Sequence, residues 1–218
     1  MLGKIYEGFL TEQLVLLENN TIGLGKKKDC QNRSVVTTPT EIVKYMVDKT
    51  LSKVCEGKTP SEILNISVAD IACGSGIFLE EAFAYLQDYC VQWYICNGQT
   101  DHLIETGIDL YKLPLQEKKD ILCSCIYGID IDIHAVEVAK FSLLIKLIED
   151  ETAPSVSEVV PILPDLGDNI QFGNSLVSQT ELNGISGANR QMMEIAPFDW
   201  STINNGCGFD VIIGNPPY

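Results

Sequence analysis

Apolar positions along the 218 residues fall into short runs of two periods. Ile5, Phe9, Leu10, Leu14 and Leu17 recur at helical spacing and predict a helix over residues 1–20. Residues 21–36 carry no period and are expected as a loop. In TTPTEIVKYMVDKTL, Thr38 is expected to cap a helix, with Pro39 at its first position and Glu41 closing a Thr-x-x-Glu box. Ile42, Val43, Met46, Val47 and Leu51 then face a core. NISVADIA predicts a strand running through CGSG into the helix IFLEEAFAYLQDYC, and residues 97–122 read as a helix with loops. CSCIYGIDI is the next strand. The helix after it, in HAVEVAKFSLLIKLIED, spaces Ala135, Val138, Phe141, Leu144 and Ile145 for burial. A linker with three prolines over 151–167 leads to two more strands, NIQFGNSL and FDVIIGN. Between them, residues 177–208 are polar and aperiodic, and are expected as a loop excursion.

Strands alternating with helices make this an α/β fold with a parallel sheet. Right-handed crossovers bring the carboxyl ends of the strands to one edge. That edge would carry ACGSG, the end of YGIDID, GNSL and GNPPY. Open α/β sheets bind their ligands at such an edge.

A hydrophobic share of 45% is enough to bury the core of one domain, with or without a small appendage. No apolar run approaches the roughly 20 residues of a membrane span. The acidic residues in MLGKIYEGFLTEQL do not suit a signal peptide, so a cytoplasmic location is expected. The eight cysteines show no CxxC spacing and no histidine at a zinc-ligand interval. Reduced, buried thiols and no metal are expected, with Cys123 and Cys125 sharing one face of a strand. Thirty acids against fifteen bases give a net charge of −15, the wrong sign for holding DNA unaided. Lys26, Lys27, Lys28 and Arg33 form the one basic cluster, by default a solvated loop and alternatively a phosphate contact.

Each strand end carries its own chemistry. Gly74 and Gly76 allow either a simple tight turn or the close approach of a ligand to backbone N–H groups. Leu79 stands where a dinucleotide fingerprint needs a small third residue, which points to a ligand with less phosphate or none. Asp130 is placed to accept both hydroxyls of a ribose, whereas Asp132 is favoured as a helix N-cap. Asn174 can read an adenine edge or simply turn the chain. In GNPPY, Asn215 and Pro216 each precede a proline and are biased to extended geometry. The Asn215 oxygen and the Pro216 carbonyl form a pair of acceptors suited to a planar NH₂, whose nitrogen becomes more nucleophilic as its hydrogens are drawn away. Tyr218 offers a face on which a flipped-out base can stack. The structural alternative is a strand-ending turn.

Together TTP, DIACGSG, GIDID, GNSL and FDVIIGNPPY resemble the S-adenosylmethionine-dependent adenine-N6 DNA methyltransferases. The resemblance runs nearly end to end and is to the restriction-modification subgroup, including fused restriction–methylation enzymes and type I modification subunits. TTP before the glycine loop, and the loop before NPPY, is the gamma-type order. It implies a Rossmann-like class I methyltransferase sheet, incomplete at its first four strands, with N-terminal helices. Residues 1–60 would be a helical segment bearing TTP, and 61–218 a truncated cofactor-binding catalytic core. By the same resemblance, S-adenosyl-L-methionine is the cofactor. Thr37, Thr38, Pro39 and Asp70 would lie near its methionine end, with Ala72, Cys73, Gly74 and Gly76 beneath it. Asp130 with Ile131 would hold the ribose, and Asn174 with Ser175 the adenine edge. Asn215, Pro216, Pro217 and Tyr218 would be catalytic, receiving the target adenine.

Relatives often carry an aromatic where Thr37 stands, and many carry Asp at the place of Asn174. Enzymes of this class continue beyond NPPY with three strands and a target-recognition domain. The 218 residues are therefore expected to be a fragment, inactive alone, that meets double-stranded DNA through the absent part. A restriction or specificity subunit or domain is a further expected partner, and a membrane is not. The alternatives are a methyltransferase acting on RNA or a protein glutamine, and a non-catalytic cofactor-binding module. The TTP helix and the 177–208 excursion favour the DNA enzyme.

Overall fold

The computed structural model describes residues 12–16, 21–26, 38–152, 155–156, 159–178 and 195–216. The expected N-terminal helix is replaced, over its described part, by an antiparallel hairpin. Strand β1, Glu12–Leu16, pairs with β2, Ile22–Lys26, in the register Glu12↔Lys26 to Leu16↔Ile22. The alternation Ile22–Gly23–Leu24–Gly25 suits a strand, and pairing satisfies the backbone of both segments. Ile5, Phe9, Leu10 and Leu17 of the expected stripe lie outside the described residues, as do Lys27, Lys28 and Arg33.

The next two helices start from the same Thr-Pro-x-Glu quartet and treat it differently. Helix α1, Thr40–Cys55, begins one residue late: Pro39 is extended at ψ 137°, and no side chain caps the helix. Glu41 therefore never reaches the third helical position relative to Thr38, and the expected capping box does not form. The short helix α2, Pro60–Ile63, has the proline inside its first turn. There the box closes, with Thr59 N donating to Glu62 Oε2 at 2.8 Å and Glu62 N to Thr59 Oγ1 at 3.3 Å. One residue of offset decides whether the hydroxyl is a cap or is free for another partner.

Strand β3, Val68–Asp70, feeds helix α3, Ile77–Cys96. A small hairpin of β4, Ile104–Gly107, and β5, Leu110–Lys112, occupies the polar stretch that follows. Helix α4, Leu115–Cys125, runs directly into strand β6, Ile126–Asp130. Cys123 and Cys125 thus end a helix rather than share a strand face, and the described cysteines are all free thiols. Helix α5, Ile133–Ile148, precedes β7, Ile170–Phe172, and the last described strand is β8, Val211–Ile212. No helix among the described residues is long and apolar enough to cross a membrane.

The sheet order is β7-β6-β3-β8, with every neighbouring pair parallel. One face packs on α1, α3 and α5 through Val43, Val47, Leu51, Leu79, Phe83, Leu86, Ala139 and Leu143. Helix α1 buries Val43, Val47 and Leu51 of its expected face, whereas α5 is rotated from its own. On α1, Ile42 is 49% exposed while Val43 is fully buried. On α5, Ala135, Val136, Ala139, Leu143 and Leu147 are buried, whereas Val138 and Leu144 are half-buried and Phe141 and Ile145 exposed. The cause is close approach: Ala139 sits against Gly76, and only small side chains fit between them. The opposite face is covered from an unexpected source. Phe198 and Ile203, from the stretch expected to be a polar excursion, bury Ala69, Tyr127 and Ile129. On β8, Val211 and Ile213 are buried as expected, but Ile212 is 61% exposed.

Candidate active site

Beyond β3 the chain turns through the glycine loop. Asp70 Oδ1 accepts from Ala72 N at 3.1 Å, and Gly76 N donates to Cys73 O at 2.8 Å to close the turn. Gly76 has φ 88°, and a Cβ there would lie 3.1 Å from that of Ala139, so both conformation and space require glycine. At Gly74, φ is 53° and nothing lies within 4 Å of where a Cβ would stand. The loop is tied down from below and open above.

Asp130, at the end of β6, ties it. Its Oδ2 accepts from Gly74 N at 2.7 Å and its Oδ1 from Asp132 N at 2.8 Å. Each oxygen keeps a lone-pair direction for a further donor. Asp132 caps α5, accepting from His134 N at 2.9 Å, and Ile131 between them is exposed. At the end of β7, Asn174 Oδ1 accepts from Leu176 N at 3.0 Å in a side-chain turn. Asn174 also bridges Pro197, while the Ser175 hydroxyl donates to Ile71 O at 2.7 Å. Ser175 thus couples the third strand end to the glycine loop through its hydroxyl.

Strand β8 is set beside β3 by a pair absent from the sequence reading. Asp210 Oδ2 accepts from Ser67 N at 2.8 Å and from Ser67 Oγ at 2.9 Å. The signal was an acidic residue opening an apolar strand, FDVIIGN, which has no local use there. With Ile213 N donating to Ala69 O at 2.9 Å, Gly214 arrives next to Asp70. Asn215 and Pro216 follow, exposed at the edge, and Asn215 Nδ2 donates to Thr38 Oγ1 at 3.1 Å. The starts and ends of distant segments meet: Thr38 and Pro39, Asp70 to Gly76, and Gly214 to Pro216. Thr37, Pro217 and Tyr218 lie outside the described residues.

Burial dominates the electrostatics of the loop and of the Asp130 strand end. Asp70 is 2% exposed, and its pKa is pushed from 3.8 up to about 7. Burial is the main cause, offset by the Ala72 N–H and reinforced by the charge of Asp130. Asp130 is also raised, chiefly by burial, against the pull of the Asp132 and Gly74 amides. Burial and the two nearby acids hold Cys73 well above the ordinary thiol range, so it stays a thiol and not a nucleophile. Among the described residues no group of three or more His, Cys, Asp or Glu is placed to hold a metal ion.

A parallel four-stranded sheet with helices packed on it and four strand-end loops at one edge make a Rossmann-like methyltransferase fold. Residues 124–218 match the family described as "Eco57I restriction-modification methylase". All 218 residues align at 44% identity with an Escherichia coli protein, the type II restriction enzyme and methyltransferase RM.Eco57I. At 34% identity, 122 residues, 56% of the chain, align with a Methanocaldococcus jannaschii protein provisionally named a type II restriction enzyme and methyltransferase. The chain spans 21% of the first relative's length, and its match covers 9% of the second's.

Proposed function

We propose that the strand-end site methylates the N6 amine of adenine in double-stranded DNA, with S-adenosyl-L-methionine as donor, within a cytoplasmic restriction-modification system. A restriction or specificity subunit or domain would be its partner. Residues 1–60 serve as the segment carrying the TTP motif, and 61–218 as the catalytic core. The observation that carries the reading is the β3–β8 register, Ala69↔Ile212, which sets Gly214 against Asp70 and starts Asn215–Pro216 from the same sheet edge as the glycine loop.

The donor set fits the cofactor. Asp70 is a buried carboxyl group whose proton is held mainly by burial and also by the charge of Asp130, and an ammonium group would relieve that cost. Asp130 has lone pairs left for a ribose diol, flanked by the exposed apolar Ile131. Asn174 and Ser175 border the adenine position, with the Asn174 amide nitrogen as a donor to a ring nitrogen. Thr38 and Pro39 close the methionine side. S-adenosyl-L-methionine, when bound, supplies an electrophilic methyl group on sulfur.

Asn215 does the work on the target. Its Oδ1, with the Pro216 carbonyl, accepts the two hydrogens of the flipped-out amine and pulls the nitrogen lone pair out of conjugation. No general base is required at that stage, because the acceptors act by position. Pro217 fixes the backbone of Pro216 in an extended shape, and Tyr218 supplies the stacking face.

The test is methyl transfer from labelled S-adenosylmethionine to plasmid DNA by the full gene product, with nucleoside analysis of the product. N6-methyladenine is the expected product. Asn215→Ala should abolish it while leaving cofactor affinity nearly unchanged, since the acceptor serves the transition state. Robust transfer by Asn215→Ala, or transfer only to RNA or to a protein amide, would overturn the reading.

A further inference from the structure

The hydrogen bond between Thr38 and Asn215 spans 177 positions of sequence. Both of its ends are carried by anchored elements. Val43, Val47 and Leu51 fix α1 in the core, and Asp210 locks β8 to Ser67. Thr38 is not a helix cap, although its quartet is the same Thr-Pro-x-Glu that caps α2. Its hydroxyl, released from capping by the extended Pro39, is spent on a side chain at the far end of the chain.

That choice matters because a carboxamide has two faces of nearly equal shape and opposite function. Turned by 180°, Asn215 would present hydrogen-bond donors where an amine also presents donors. With Nδ2 held against Thr38, Oδ1 is the atom that faces away. We infer that Thr38 is a positioning residue that keeps the Asn215 carboxamide in its accepting orientation. The inference rests on the role given above to Asn215. A hydroxyl can donate as well as accept, so it selects Nδ2 over Oδ1 when its own proton is given to a second acceptor, which at this edge is the cofactor side. Its branched Cβ restricts χ1 and holds the hydroxyl in place.

Two variants and two readouts test this. Thr38→Val keeps the shape and removes the hydroxyl; Thr38→Ser keeps the hydroxyl. At saturating cofactor and DNA, Thr38→Val should lower kcat by about 10- to 100-fold, the cost of a misplaced reacting group. Thr38→Ser should stay within about threefold of the parent, the size of one weakened hydrogen bond. Any loss of S-adenosylhomocysteine affinity in Thr38→Val should fall well short of its loss in kcat, and circular dichroism should show both variants folded. The second readout is the Asn215 side-chain amide by NMR. One of its two hydrogens should be protected from exchange in the parent and in Thr38→Ser, and neither in Thr38→Val. Unchanged kcat in Thr38→Val, or a loss of cofactor affinity that accounts for the whole defect, would overturn the inference. Two freely exchanging amide hydrogens in the parent would overturn it as well. A gene product that methylates no DNA overturns the function proposed for the site, and the amide signals still decide whether Thr38 fixes Asn215.

Discussion

Gly214 lies against the carboxyl group of Asp70: a methyl group added to Gly214 would stand 2.8 Å from Cγ of Asp70. Neither partner can yield easily, because Asp70 is buried and the β8 backbone is bonded to Ala69. Gly214→Ala should therefore destabilise the fold by about 1–3 kcal/mol, the usual cost of overpacking. Gly208→Ala, where nothing lies within 4 Å, should stay within about 0.5 kcal/mol of the parent. Urea denaturation of both variants checks the pair.

Asp70 should also leave a pH signature. Its pKa of about 7 in the fold stands above its ordinary 3.8, so the folded chain keeps a proton that the unfolded chain has lost. Stability from this group is complete below pH 4 and drains away as pH rises from about 4 to 7, by at most about 1.4 kcal/mol per unit. Above pH 7 both states are ionised and the slope vanishes. Other raised carboxyls, such as Glu80 and Asp88, tilt the curve the same way, so the informative quantity is a difference. Melting curves from pH 5 to 8 should show a flatter profile for Asp70→Asn than for the parent.

Asp130 ties down the loop at Gly74, and in the function proposed above it also offers acceptors to a ribose. Asp130→Ala should weaken S-adenosylhomocysteine binding by about 1–3 kcal/mol, as for a lost charged hydrogen-bond partner. Calorimetry on the purified chain should register that ligand and give no heat with NAD. Binding of NAD instead would contradict the reading of Leu79 and the loop.

Away from the site, Glu151 holds α4 and β5 to the end of α5. Its side chain is 1% exposed and meets Lys118 at 2.7 Å and Lys112 at 3.0 Å. Glu151→Ala strands the buried Lys118 and should cost about 3–5 kcal/mol. Lys140→Ala breaks only the exposed pair with Glu137 and should cost less than about 0.5 kcal/mol. Thermal unfolding of the two variants separates them.

The strand ends were legible because each apolar run closes on residues with chemistry of their own: Asp70 and the glycines, Asp130, Asn174, Asn215. What could not be read was anything decided by a distant partner. The buried face of α5 is set by Ala139 meeting Gly76, and no periodicity in α5 contains Gly76. Residues 12–16 form a strand because 22–26 pair with them. Two identical quartets part company over one residue of helix offset, which freed Thr38 to meet Asn215. Phe198 and Ile203 sit in an aperiodic stretch, so their burial had no pattern to announce it. Thr37, Pro217 and Tyr218, assigned to the site from sequence, lie outside the described residues.

The Asp210–Ser67 lock has a consequence for the chain as it is made. The two residues are 143 positions apart, and β3 gains its β8 neighbour only once the later one has been synthesised. At roughly 5–20 residues per second, one edge of β3 waits about 7–30 seconds without its neighbour. Within that interval Tyr127 and Ile129, once made, also wait with Ala69 for Phe198 and Ile203. An open edge beside an uncovered apolar face is a template for pairing with other chains. The nascent protein is therefore most prone to aggregation after β7 has been added and before β8 joins β3.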